Sequence, residues 1–94
     1  MVTLILDTAD NKKISIGLKI NKSKYTLTQK ITSNKTQIVL PMIDRILKKH
    51  KVRLRDIQQI EVNTIRGSFT GLRVGMAIAN ALSFILKIPV KMVK

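Results

Sequence analysis

The 94-residue chain predicts a single α/β domain: a five-stranded mixed sheet in β-β-β-α-β-α-β order with two helices on one face. Three observations carry this. Apolar residues alternate at a period of two through Ile14–Ile31, the period changes to that of a helix over Ile38–His50 and again over Leu72–Lys87, and short β-rich runs stand before, between and after these segments. Strands that alternate with helices imply right-handed parallel crossovers in the second half of the chain.

Val2–Leu6 is apolar except for Thr3 and is stopped by Asp7-Thr8-Ala9-Asp10-Asn11, which fits a central strand buried on both faces. Ile14, Ile16, Leu18 and Ile20 alternate with polar or small residues. After the turn Asn21-Lys22-Ser23, Tyr25, Leu27, Gln29 and Ile31 alternate again, so a hairpin is expected. Thr32–Thr36 offers capping side chains for a helix over Ile38–His50, where Pro41 is acceptable only in the first turn. Its apolar residues cover roughly 200° of the helical wheel, more than one sheet contact requires. Ile57, Ile60 and Val62 lead into a fourth strand. The helix over Leu72–Lys87 is the odd element, because its polar residues Arg73, Asn80, Ser83 and Lys87 span an arc of only about 80°. Lys87-Ile88-Pro89 ends it, and Val90–Val93 is the last strand.

Composition narrows the chemistry. Eighteen Lys and Arg against five Asp and Glu give a net charge of +13, and 45% of residues are hydrophobic, so the chain is basic without being compositionally disordered. The absence of cysteine excludes disulfides, thiolate metal sites and cysteine catalysis, and fits a reducing cytoplasm. No secretion signal is expected at Met1–Leu6. The most apolar stretch, Leu72–Leu86, is shorter than the roughly 20 residues that a membrane span needs. One histidine, His50, supports neither a nucleophilic triad nor a metal site, and a place beside the helix C-terminal dipole suits it. The densest basic run, Lys48, Lys49, Lys51, Arg53 and Arg55, is open to two readings: a solvated surface, or a face toward RNA phosphates. With only Tyr25, Phe69 and Phe84 aromatic, a base-stacking platform is not expected.

Gly67, Gly71 and Gly75 recur every four residues, and Ala79 and Ser83 extend the spacing, giving a small face suited to close approach. The loop Gly67-Ser68-Phe69-Thr70-Gly71 before the second helix fits a tight turn and cap or an anion site, but neither the phosphate-loop nor the dinucleotide glycine pattern.

The segment Gly67-Ser68-Phe69-Thr70-Gly71-Leu72-Arg73-Val74-Gly75, with the ending Ile88-Pro89-Val90, resembles the signature of the TsaB/YeaZ family. Leu6-Asp7-Thr8 resembles that family's first-strand turn, and Leu40-Pro41-Met42-Ile43-Asp44 resembles its first-helix motif; Arg66 stands where the family usually has Pro. The resemblance implies the first lobe of an actin/Hsp70-like (ribonuclease H-like) fold spanning residues 1–94. It further implies a non-catalytic scaffold or activator subunit that needs no cofactor or metal. Such a subunit pairs with a TsaD-type catalytic subunit, alongside a TsaE-type ATPase, in forming N6-threonylcarbamoyladenosine at position 37 of tRNA. A small basic RNA-binding domain acting alone is the alternative.

The motif residues Gly67, Ser68, Phe69, Thr70, Gly71 and Arg73 are expected to shape the start of the second helix, with Arg73 on its outer side. Ile78, Leu82, Val74 and Ile85 are expected to face the sheet. Arg73, Met76, Ala77, Asn80 and Phe84, flanked by Leu40, Ile43 and Leu47 of the first helix, form the expected partner face. Pairing is expected as a homodimer when alone and a heterodimer with the TsaD-type subunit in cells, with tRNA touched weakly or indirectly and no membrane partner.

Overall fold

The computed structural model describes residues 1–10, 12–31, 34–63 and 69–93. The elements are β1 (Val2–Asp7), β2 (Lys13–Ile20), β3 (Ser23–Lys30), α1 (Lys35–Lys49), a 3-10 turn (Leu54–Asp56), β4 (Gln59–Asn63), α2 (Phe69–Leu86) and β5 (Val90–Val93). The five strands form one sheet in the order β3-β2-β1-β4-β5. β1, β2 and β3 pair antiparallel, whereas β1–β4 and β4–β5 are parallel, as two crossovers require.

Register sets the two faces. Leu4 lies opposite Leu18 and Ile60, and Leu6 opposite Ile16 and Val62, so one row of aliphatic side chains follows another across the sheet. These residues are at most 1% exposed and share one core with Ile38, Val39, Met42, Ile43, Ile46 and Leu47 of α1 and Ile78 and Ala79 of α2. Both helices therefore lie on the same face, as the sequence predicts.

Among the described residues no helix lies on the opposite face. There Thr3 is buried while Ile5 and Asp7 are half-buried, so β1 is central and its second face is buried only in part. Ile5, Asp7, Ser15, Gly17, Lys24, Thr26, Glu61 and Asn63 line a hollow of about 380 Å³ on this side. Gly17 keeps it open, since a Cβ there would stand 3.1 Å from Ile5 Cβ. Asn63 Nδ2 donates to Asp7 Oδ2 at 3.0 Å across the β1–β4 pair.

Helix α1 starts earlier than its periodicity suggests, so Pro41 sits inside it rather than in the first turn. An interior proline costs about 3 kcal/mol. Ile38, Val39 and Met42, at 5%, 0% and 0% exposure, pack on either side of it, and this burial holds the helix together. Both helices end alike. Lys51 and Lys87 take left-handed φ values of 56° and 57°. Val52 N donates to Leu47 O and Lys51 N to Lys48 O after α1, and Ile88 N donates to Ser83 O after α2. This is the Schellman arrangement, with lysine where glycine is preferred.

Candidate functional site

Helix α2 meets the sheet through its small residues. Gly75 and Ala79 are buried, and a Cβ on Gly75 would fall 2.6 Å from Thr8 Oγ1 and 3.5 Å from Val62 Cγ1. Thr8 itself is 1% exposed. The four-residue spacing of small side chains thus serves close helix–sheet packing. Gly67 and Ser68 lie outside the described residues, and the side chains of Phe69, Thr70 and Gly71 at the α2 N-terminus are likewise not described. Arg73 stands on the outer, exposed side of α2.

One expectation is corrected by this contact. Centring the helix on Gly75 and Ala79 turns it by about 100° from the axis through Ile78 and Val74, one residue step on the wheel. Ile85 consequently faces outward at 69% exposure instead of meeting the sheet. The outer face of α2 is Arg73, Ala77, Asn80, Ala81, Phe84 and Ile85, with Phe84 86% exposed. Met76 is only half-buried, but packs against the core. On α1, Leu40 is 52% exposed, whereas Ile43 and Leu47, both expected on the partner face, are 5% exposed and belong to the core. The wide apolar arc of α1 is used up by contacts with both the sheet and α2. Between the helices, Leu40, Ile43, Leu47 and Leu82, with Val52 and Leu54, line an apolar groove of about 360 Å³.

The basic run does not form one patch. Lys48 Nζ pairs with Asp44 Oδ2 at 3.0 Å, and both line the apolar groove together with Arg53. Arg53 N donates to Asp56 Oδ2 at 3.0 Å, which closes the 3-10 turn carrying the exposed Arg55. Lys51 is the left-handed residue after α1. Lys49 alone turns toward β3, where it lines a hollow of about 370 Å³ with Arg45, Tyr25 and His50. The rings of Tyr25 and His50 stack there, with centroids 4.0 Å apart and planes 27° from parallel. His50 thus caps an aromatic contact, and Tyr25, His50 and Arg45 form a cluster that linear spacing does not signal. Its one trace in the sequence is an aromatic at a core-facing register position of a strand that ends the sheet.

Among the described residues no group of three or more His, Asp or Glu could hold a metal ion, and no helix is long and apolar enough to cross a membrane.

A two-layer lobe with sheet order β3-β2-β1-β4-β5, helices on one face and a small-residue helix packed beside the end of β1 has the actin-like, ribonuclease H-like architecture. A sequence model of TsaD, tRNA N6-adenosine threonylcarbamoyltransferase, matches residues 23–94, and the chain belongs to this family, on its TsaB/YeaZ side. It is 39% identical over 75 residues to the tRNA threonylcarbamoyladenosine biosynthesis protein TsaB of Buchnera aphidicola subsp. Baizongia pistaciae, covering 80% of this chain and 34% of that protein. With the TsaB of Buchnera aphidicola subsp. Schizaphis graminum it is 33% identical over 89 residues, covering 95% and 42%. The structure of YeaZ from Pseudomonas aeruginosa superposes with a TM-score of 0.90 at 28% identity, over 99% of this chain and 43% of that one. The chain therefore spans about two-fifths of the length of these relatives, and threonylcarbamoyladenosine biosynthesis is the process that the two TsaB proteins share by name.

Proposed function

We propose that the chain acts as a non-catalytic partner subunit in forming N6-threonylcarbamoyladenosine at position 37 of tRNA, pairing with a TsaD-type catalytic subunit through the outer face of α2. A TsaE-type ATPase completes the assembly, and the setting is the cytoplasm. The observation that carries the pairing is Phe84. A phenylalanine 86% exposed beside Ile85 at 69%, with Ala77 giving room for close approach and Arg73 and Asn80 at the rim, is an apolar centre with a polar border. Leu40 across the inter-helix groove extends it. The same face would join two copies when no partner is present.

Phe84→Asp and Ala77→Arg each place a charge where the partner would bury it, at a cost of several kcal/mol. Each should abolish sedimentation as a dimer and co-purification with the TsaD-type subunit, with an unchanged thermal melt. Pairing that survives both substitutions, or a wild type that is monomeric and ignores the TsaD-type subunit, refutes the assignment. The second reading, a nucleic-acid-binding domain acting alone, rests on the charge of +13 and on the aromatic pair among cations beside β3.

A further inference from the structure

We propose that the hollow between β3 and the C-terminal end of α1 binds an unstacked nucleotide of a single-stranded nucleic acid, with Tyr25 stacking on the base and Arg45 and Lys49 holding phosphate. Tyr25 is fixed by His50, whose ring lies 4.0 Å away, yet it remains 39% exposed. Its neighbours along the same sheet row, Leu18 and Leu4, are fully buried, so the ring is held at the border of the core with aromatic area left over. Such a pre-ordered ring loses little freedom when a base stacks on it.

The charges around it have one sign. Lys24, Arg45 and Lys49 line the hollow, and no carboxylate does. Asp44, the acid on α1, lines the groove on the other side of the helix and pairs with Lys48. The hollow, at about 370 Å³, is within the size range of small-ligand sites. A duplex keeps its bases stacked and offers only phosphate, so a ring in this position discriminates for a single strand. The assignment does not depend on pairing through Phe84; only tRNA as the strand's source would rest on the proposed function.

The test is fluorescence polarisation of the full chain with labelled oligouridylate, oligothymidylate of equal length, and an RNA duplex. Tyr25→Leu should weaken single-strand binding about tenfold and leave duplex binding unchanged, whereas Tyr25→Phe, which keeps the ring, should bind as wild type. Arg45→Gln and Lys49→Gln should each flatten the log–log salt slope for the single strand by ~0.7. Loss on the RNA strand, with or without a parallel loss on DNA, supports the site. Unchanged binding by a Tyr25→Leu protein with a normal melt, an equal loss on duplex, or polyglutamate binding that depends equally on Tyr25 overturns it, the last in favour of an acidic protein. Because Tyr25→Leu leaves the α2 face intact, dimerisation measured on the same sample separates a failure here from a failure of the pairing.

Discussion

Replacing Gly75 by alanine sets two effects of opposite sign against each other. In an unhindered helix interior the change stabilises by about 1 kcal/mol, because glycine carries the larger entropy cost. Here the added Cβ would lie 2.6 Å from Thr8 Oγ1, closer than any relaxed contact. Thr8 cannot swing away cheaply, being β-branched and 1% exposed. Forcing a methyl into such a site costs about 1–3 kcal/mol. The net expectation is a loss of about 1 kcal/mol, or a melting temperature lower by roughly 5 °C for a domain of this size. Thermal unfolding followed by circular dichroism reads this directly. The mechanism predicts coupling too, since Thr8→Ala removes the obstructing oxygen and the double variant should be more stable than the sum of the singles by about 1 kcal/mol. A Gly75→Ala protein that melts higher than wild type, or two substitutions that simply add, would refute the close-contact account.

The ends of the helices and one turn give further expectations. Lys51→Gly and Lys87→Gly relieve a left-handed lysine and should each raise stability by about 0.5–1 kcal/mol in chemical denaturation. Asp10 Oδ1 accepts Lys12 N–H at 2.7 Å and Lys13 N–H at 3.2 Å, and the Lys12 bond above all holds its carboxyl below the ordinary range. A lowered folded-state value stabilises above the unfolded value and loses that contribution as pH falls through the folded one. Wild type should therefore exceed Asp10→Asn in stability near neutral pH, with the gap closing below about pH 4 in a pH series of melts.

Most of the fold was legible because it rests on local periodicity. The alternation Ile14–Leu18 places every second residue in the core, and both helices appear where the period changes. Pro41 misled the start of α1, since proline's local penalty is outweighed by burial that no local rule contains. A helical wheel turns Ile85 toward the sheet because it weighs hydrophobicity, whereas the contact is set by the smallest side chains. The arc of α1 exceeds one contact and so points Ile43 and Leu47 outward, but the second contact is α2 within the same chain. The Tyr25–His50 stack joins residues on different elements, and neither residue's neighbours in sequence announce the other.

The order of strands also bears on how the chain acquires its structure. β2 and β3 are joined by the two-residue turn at Asn21-Lys22, so they pair at little loop-closure cost, and β1 adds to them locally. The other edge of β1 waits for β4, which arrives only when residues 56 positions apart, such as Asp7 and Asn63, come together. Until then that edge presents Val2-Thr3-Leu4-Ile5-Leu6, a charge-free β-rich segment. The permanent edge at β3 carries Lys24 and Lys30, which repel a second sheet. The chain is thus guarded against aggregation at its β3 edge and unguarded along β1 until β4 docks, which makes that interval a vulnerable stage during synthesis.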